Sequence, residues 1–399
     1  MASPPRSSST SDDAAPAPPP KSSWVILGGI PRVVQDDVDA TDATATTDLS
    51  LALAAPPLVS HLTVSRRVFP ALPTSQNYPI LLAADPSGLL LLHSIIDAPA
   101  PPARPRTGVD DTDRRERKTC FYDWRLLDPR YLVLDATTGS ALRLPNPDPL
   151  EHIPHPALVG VVSCPGAGAG AGRYMVAELV PGTLGSGMAD LRCYFSDRGE
   201  WVTKAVRYPF QRRRLSPICT LAHHGRLWWA DYSWGIVTAD PFADKPVLRF
   251  VTLPGCQLGY GDGWGDLERF RYVGRRQPAL RRHLTYRRRD IRDKVSVWTL
   301  ADPNSTVWTL DHEATFADIW ADETYKATGL PNRPPRVALI HPHNPAVVYF
   351  FLRGHLFAVD LPARKVLECD RYHLVAPPLN YPTANRFIRA WELLPVVSS

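Results

Sequence analysis

Short apolar runs separated by turns recur along most of the chain. Apolar and polar positions alternate within the runs, as in a β-strand, where successive side chains point to opposite sides. Many runs come in pairs that flank a turn centred on or just after an aspartate, which is typical of a hairpin. The aspartates that mark this pattern are Asp135, Asp197, Asp240, Asp302 and Asp360.

Further apolar runs precede each hairpin, so four-stranded units can be assembled. Repeats of roughly 40 to 50 residues with several strands each are typical of a β-propeller, in which every blade is a four-stranded sheet. We expect blades over 80–145, 157–206, 218–254 and 337–369, and another whose outer hairpin lies at 295–310. The apolar runs near the N-terminus and at 386–395 would supply a sixth blade that closes the ring. The sequence therefore predicts an all-β, propeller-like domain over residues 24–399.

Three segments depart from this pattern. Residues 1–23 are rich in Ser, Pro and Ala and lack the apolar side chains that offset chain-ordering entropy, so we expect a disordered tail. Apolar residues near helical spacing predict one helix over about 312–328. Residues 269–294 are rich in arginine, and we expect either a basic loop or an eroded blade there. A local error of reading frame over 275–293 is the alternative.

Composition limits the class of protein. With 399 residues and 44% apolar content, the chain is long enough to bury a large core, which excludes disorder throughout. Six scattered cysteines and no charged-then-apolar leader indicate a reduced, intracellular protein of the cytoplasm or nucleus. The longest apolar run is interrupted by Asp85, Pro86 and Gly88, so we expect no membrane segment.

No motif of a known catalytic chemistry stands out in the sequence. There is no nucleophile elbow, phosphate-binding loop or paired-histidine zinc helix, and the glycine runs at 166–172 and 259–265 read as loops. We therefore predict a noncatalytic module that binds a protein or peptide, without metal or cofactor. The alternative is an enzyme whose site is built from blade loops, for which carboxylates such as Asp231, Asp318 and Asp322 would have to converge.

Two groups of residues are the binding candidates. An aromatic group near strand ends comprises Trp228, Trp229, Tyr232 and Trp234, and buried packing is the alternative role, above all for the two tryptophans. The basic group would contact the phosphates of a nucleic acid, with Tyr272, His283 and Tyr286 interleaved for base stacking, or else form a solvated loop. Its members are Arg275, Arg276, Arg281, Arg282, Arg287, Arg288 and Arg289.

Several motifs together resemble one known family. They include SSWVILGGIPRV (22–33), LAADPSGLLLL (82–92), YLVLDATTGSALRLP (131–145), GRLWWADYSWGIVTADPFADKPVLRFVTLP (225–254) and FADIWADETYKATGLP (316–331). They are similar to the plant family, expanded in grasses, that is catalogued as domain of unknown function 1618. The resemblance implies a propeller layout similar to that of F-box-associated domains. It implies no activity and no catalytic residues.

Overall fold

The structure is a computed structural model, and part of the chain is described in it. The described ranges are 23–34, 47–70, 72–74, 78–96, 128–146, 156–164, 172–210, 213–254, 267, 270–275, 280–286, 294–372 and 388–393. Residues 1–22 lie outside them, so the predicted disordered tail stays a prediction. No helix in these ranges is long and apolar enough to cross a membrane.

The first four strands of the chain form one sheet with the last described strand. They are β1 (Trp24–Gly28), β2 (Arg32–Val33), β3 (Leu49–Ala52) and β4 (Val59–Val64). Strand β4 pairs in parallel with β1 and β2 and antiparallel with β3. The other edge of β1 pairs antiparallel with the C-terminal strand, in a register that sets Trp24 opposite Glu392. We call this the terminal sheet.

The other described strands form five sheets, each a four-stranded antiparallel meander. Sheet 1 comprises β5 (Ile80–Ala84), β6 (Leu89–Ile96), β7 (Asp128–Asp135) and β8 (Ser140–Arg143). Sheet 2 comprises β9 (Val159–Ser163), β10 (Tyr174–Pro181), β11 (Met188–Phe195) and β12 (Glu200–Arg207). Sheet 3 comprises β13 (Cys219–His223), β14 (Arg226–Asp231), β15 (Gly235–Ala239) and β16 (Arg249–Thr252).

Sheet 4 comprises β17 (Val273–Arg275), β18 (Leu280–Tyr286), β19 (Lys294–Leu300) and β20 (Thr309–Thr315). Two short helices follow it, α1 (Phe316–Ala321) and α2 (Glu323–Ala327). Sheet 5 comprises β21 (Arg336–Ile340), β22 (Val347–Leu352), β23 (His355–Asp360) and β24 (Lys365–Arg371), and the last strand of the terminal sheet is β25 (Ile388–Glu392). The all-β, propeller-like fold predicted from the sequence is confirmed.

Apolar side chains pack between successive sheets rather than within one central core. Six hydrophobic clusters each draw their buried residues mainly from two sheets. Four link sheets 1 to 5 in chain order, and two more join the terminal sheet to sheet 1 and to sheet 5. The first strands approach one another: β5, β9 and β13 are in mutual contact, β13 contacts β17, and β21 contacts β25. These strands therefore lie innermost.

The aspartate turns predicted from the sequence are formed between the third and fourth strands of their sheets. Asp135 Oδ1 accepts hydrogen bonds from the Thr137 amide and hydroxyl at 2.8 and 2.5 Å. Equivalent bonds run from the Phe242 amide to Asp240 and from the Ala363 amide to Asp360. Aspartate favours such turns because its carboxylate can accept a hydrogen bond from the backbone amide two or three residues later in the chain.

One expectation is corrected. The single helix over about 312–328 was wrong: β20 continues to Thr315, and the helical stretch is divided at Asp322, which caps α2 by accepting from the Thr324 amide at 2.9 Å. Of the two alternatives for residues 269–294, the eroded blade fits the described residues, because β17 and β18 complete sheet 4. The three-residue β17 and the register shifts within β18 show that this sheet is less regular than sheets 2 and 3.

Candidate functional site

Each innermost strand ends on, or is followed at once by, a polar residue. Ser163, His223, Arg275 and Glu392 are the last residues of β9, β13, β17 and β25, whereas Asp85 and His341 directly follow β5 and β21. Strand order and pairing place these ends at one edge of every sheet, which we call the C-terminal face. The opposite face carries the turns that join β10 to β11 and β14 to β15. Chemistry contributed by six separate sheets therefore meets on one face.

Direct hydrogen bonds bring several of these strand ends together. Asp85 Oδ1 accepts from the Ser163 hydroxyl at 3.0 Å, which links β5 to β9. The Trp391 indole N–H donates to the Asp85 carbonyl at 3.1 Å, which links β25 to β5. The Arg275 guanidinium donates a long bond of 3.4 Å to the Ala222 carbonyl, beside His223 on β13. We call Asp85, Ser163, His223, Arg275 and Glu392 the axial cluster.

Arg275 is the positive group of the axial cluster. Burial lowers the pKa of its guanidinium, and the negative charges of Asp85 and Glu392 partly oppose that shift. In the described part of the chain no ion pair closes between Arg275 and either carboxylate. The three charges therefore act on one another across the site while their hydrogen-bonding capacity is only partly used.

His223 is the neutral group of the cluster. Its side chain is 6% exposed, and its Nε2 atom has no hydrogen-bond partner among the described residues. Burial lowers the pKa of this histidine to about 3, and the neighbouring His224 and Arg275 add to the shift. A neutral imidazole has one nitrogen that accepts and one that donates, so His223 offers an unused hydrogen-bonding position next to Arg275.

Glu392 is the second group with unused capacity. Its Oε1 atom is buried and has no partner within the described ranges, although buried polar atoms are nearly always satisfied in folded proteins. Asp85 differs, because its Oδ1 also accepts from the Ser87 amide and hydroxyl at 2.9 and 2.6 Å. Asp85 therefore organises the turn and the link to β9, whereas no hydrogen bond within the described ranges engages Glu392 Oε1 or His223 Nε2.

The aromatic candidates lie mostly in the core. Trp228 and Trp229 are 0% exposed and Tyr232 is 3% exposed. Because neighbouring residues of a strand point to opposite sides, Trp228 packs between sheets 3 and 4 and Trp229 between sheets 2 and 3. The Trp229 indole also donates to the Leu158 carbonyl at 2.7 Å. Buried packing, the alternative role expected above all for the two tryptophans, therefore describes Trp228, Trp229 and also Tyr232.

Trp234 is the aromatic candidate that reaches the surface. It lies half-buried on the opposite face, where its ring centroid is 4.1 Å from that of Phe210 and 4.7 Å from that of Phe250. The Arg213 guanidinium lies 4.5 Å from the Trp234 ring, a cation–π distance. Trp234 is therefore separated from the axial cluster by the length of sheet 3.

The structure describes only part of the basic group. Arg275 belongs to the axial cluster, and Arg281 and Arg282 lie on β18, where the backbone alone is described. Arg276, Arg287, Arg288 and Arg289 lie outside the described residues. Nucleic-acid binding through 269–294 therefore stays a prediction.

The carboxylates named for the enzymatic alternative have separate structural partners. Asp231, the last residue of β14, accepts hydrogen bonds from the Ser216 and Ser233 amides. Asp318 Oδ2 lies 3.4 Å from Arg364 Nε. Asp322 caps α2, and the hydrogen bonds that it accepts from Thr324 lower the pKa of its carboxyl. Asp231 is thus held on a different sheet from the other two. Within the described ranges, no three His, Cys, Asp or Glu side chains are grouped as a metal site requires.

Sequence reasoning selected Arg275 but missed the rest of the axial cluster. The two members nearest in sequence, His223 and Arg275, are 52 positions apart, and the two farthest, Asp85 and Glu392, are 307 apart, because each member belongs to a different blade. The signal was present in the runs ILLAAD, VGVVS, CTLAH, VGR, RVALIH and IRAWE, each of which ends on a polar residue. Aligning the first strand of every blade would have revealed it.

The sequence comparison supports the resemblance over the middle of the chain. The model of the family described as "Protein of unknown function (DUF1618)" matches residues 229–349. This range runs from β14 to β22 and includes sheet 4, both helices and Arg275. Among curated proteins, no relative matches the chain.

The solved structures that match this chain share little sequence with it. The β-propeller domain of Cps50 (Swd1) from Myceliophteria thermophila is 10% identical, with a TM-score of 0.33, and the match covers 79% of this chain and 97% of that one. Apo AztD from Citrobacter koseri is 11% identical, with a TM-score of 0.26 and coverage of 76% and 72%. A chain of the mitotic checkpoint complex is 12% identical, with a TM-score of 0.28 and coverage of 85% and 72%.

Proposed function

We propose that this protein is a noncatalytic binding module that recognises a protein or peptide with its C-terminal face, centred on the axial cluster. The proposal includes a single domain from residue 24 onward, arranged as a closed ring of six blades. Support for closure comes from the pairing of β1 with β25 and from the two hydrophobic clusters that join the terminal sheet to its neighbours.

One observation carries the functional proposal. Five innermost strands supply the axial cluster, and two of its buried atoms, His223 Nε2 and Glu392 Oε1, have no partner among the described residues. A buried polar atom without a partner costs about 1–3 kcal/mol, so such atoms tend to be retained where a ligand completes them. A propeller presents its inner strand ends at the mouth of the ring, which suits recognition of a projecting group.

Face-specific photo-crosslinking tests the proposal. A photoreactive phenylalanine replaces exposed His343 on the C-terminal face or, as the matched control, Leu184, which is 60% exposed in a turn on the opposite face. Each full-length variant is expressed in the protein's own cells and irradiated. We expect discrete protein adducts from position 343 and few or none from position 184. Equal adducts from both positions, or adducts from position 184 alone, would contradict the proposal.

A further inference from the structure

The connection between sheets 2 and 3 is rich in arginine. Residues 207–218 run from the end of β12 to the start of β13 on the opposite face, and they contain four arginines and no acidic residue. Residues 213–217, with the sequence RRLSP, are described and belong to no helix or strand. Ser216 precedes Pro217, and a residue before proline favours an extended backbone. An extended serine therefore follows two arginines.

Ser216 is connected to Arg213 by a chain of hydrogen bonds. The Ser216 amide donates to Asp231 Oδ2 at 3.1 Å, and Asp231 Oδ1 accepts from the Ser233 hydroxyl at 2.5 Å. The Arg213 guanidinium donates to the same Ser233 hydroxyl at 2.5 Å and lies 4.5 Å from the Trp234 ring. Asp231 is 1% exposed, so this network holds a buried negative charge beside Ser216.

The Ser216 hydroxyl differs from the other hydroxyl in its neighbourhood. Ser216 is half-buried, and in the described part of the chain no hydrogen bond engages its hydroxyl. Thr220, four positions later, is 2% exposed, and its hydroxyl donates to the Ala157 carbonyl at 2.6 Å. Ser216 is therefore the accessible acceptor for a modifying enzyme, and Thr220 is the protected one.

The charges around Ser216 suit a phosphoryl group. A phosphoserine carries about −1.5 to −2 charges at pH 7 and three acceptor oxygens, which arginines bind through charge-assisted hydrogen bonds. Arg214 is exposed two positions before Ser216, and Arg213 directly precedes it. Protein kinases distinguish substrates partly by the pattern of charges beside the acceptor. The segment therefore fits a kinase with an acidic substrate cleft.

We propose that Ser216 is a phosphorylation site and that its phosphate draws Arg213 away from Ser233 and Trp234. A separate protein kinase transfers the γ-phosphoryl group of a nucleoside triphosphate. The Ser216 oxygen forms a bond to the γ-phosphorus, and the bond from that phosphorus to the β–γ bridging oxygen breaks. The hydroxyl proton passes to a base of the kinase, and the nucleoside diphosphate leaves.

The phosphate changes the balance of charge in the hydrogen-bond network. It repels the Asp231 carboxylate, which weakens the hydrogen bond from the Ser216 amide, and it offers Arg213 a stronger partner than a neutral hydroxyl. The site lies on the opposite face, so this inference does not depend on the axial cluster or on the proposed function.

Site-resolved mass spectrometry of the full-length protein, isolated from its own cells with phosphatases inhibited, tests the assignment. Cleavage after arginine releases residues 215–226, whose hydroxyl groups belong to Ser216 and Thr220. We expect fragmentation to place a phosphate on Ser216, and treatment with a phosphatase to remove it. An unmodified peptide, or a phosphate on Thr220, would overturn the inference.

Two substitutions test the role of the arginines. The purified full-length chain is treated with a phosphatase and then incubated with ATP and an extract of the same cells. Arg214→Gln should lower the phosphorylated fraction at Ser216 severalfold, whereas Arg198→Gln, at another exposed arginine, should leave it unchanged. Equal phosphorylation of Arg214→Gln and the wild type would contradict recognition through the arginines.

Hydrogen–deuterium exchange measures the effect of the phosphate on the network. We expect amides at 232–234 to exchange faster in the phosphorylated chain than in the phosphatase-treated chain, with no change at 223–225 on the C-terminal face. Unaltered exchange at 232–234 in a chain phosphorylated at Ser216 would overturn the displacement of Arg213.

Discussion

His93 makes the stability of the fold depend on pH. It lies on β6 with 2% of its side chain exposed, and its ring centroid is 5.5 Å from that of Tyr131. Its Nε2 atom has no hydrogen-bond partner among the described residues, and burial lowers its pKa to about 4 from the ordinary value of 6.5. The folded chain therefore keeps His93 neutral in a pH range where the unfolded chain protonates it.

The sign and size of the effect follow from proton linkage. Below pH 6.5 the unfolded state binds a proton that the folded state refuses, so the free energy of unfolding falls as the pH decreases from 6.5 to about 4. Each unit of pH in this window corresponds to about 1.4 kcal/mol. Between pH 7 and pH 5, His93 alone should remove about 2 kcal/mol from the stability of the fold.

Urea titrations of the wild type and His93→Leu at pH 7 and pH 5 measure this contribution. We expect the variant to lose about 2 kcal/mol less than the wild type on acidification, because leucine does not titrate. His343→Gln removes an exposed histidine and should behave as the wild type does. Equal acid losses for His93→Leu and the wild type would refute the burial argument, whatever the stability of the variant at pH 7.

Three further substitutions test the packing, each by the midpoint of urea unfolding. Trp229→Phe removes the indole N–H that donates to the Leu158 carbonyl at 2.7 Å, and it should lower the free energy of unfolding by about 1–3 kcal/mol. No change would show that this hydrogen bond does not stabilise the contact between sheets 2 and 3. Gly235→Ala would bring a Cβ into overlap with the Phe250 ring and 2.5 Å from the Val251 carbonyl oxygen, so about 1–3 kcal/mol of stability should be lost. A neutral result would mean that β16 shifts freely. Asp135→Ala should lower the free energy of unfolding by about 1 kcal/mol, because it removes the two hydrogen bonds from Thr137. Asp244→Ala, at an exposed position, should have no measurable effect. Equal effects of the two substitutions would contradict the role of the aspartate turn.

Local pattern was sufficient to predict most of the strands. Alternation of apolar residues and the aspartate turns located sheets 1, 2, 3 and 5, because both signals act within a few residues of the chain. The helix was misjudged for a reason that is also local. The apolar spacing of Phe316, Ile319 and Trp320 predicts a helix but does not show where it begins, so the predicted helix included polar residues of β20. The helical stretch is also divided at Asp322, whose side chain accepts from the Thr324 amide.

Local composition does not predict the pairings of sheet 4 and the terminal sheet. Composition predicted little strand structure over 269–294, yet β18 is held between β17 and β19. In the same way, nothing in the run WVILG identifies IRAWE as its partner more than 350 positions later, although the two pair along their full length. Tertiary context overrides local propensity at both places.

The axial cluster required the topology before it could be recognised. Asp85, His223 and Glu392 have no motif spacing, since a ring brings them together from separate blades. Arg275 was selected for its charge, and only the structure brings that charge under the influence of Asp85 and Glu392. Trp228 and Trp229 show the converse, because aromatic residues near strand ends suggested a binding surface where the sheets bury them.

Hydrogen–deuterium exchange of the full chain, with and without a partner captured through position 343, would show which face of the molecule binds. We expect the partner to slow amide exchange in the turns of the C-terminal face, at 85–88, 223–225 and 341–346. We expect no change in the turns of the opposite face at 182–187 and 232–234. Protection confined to the opposite face, with unaltered exchange around His223 and Asp85, would contradict the proposed function.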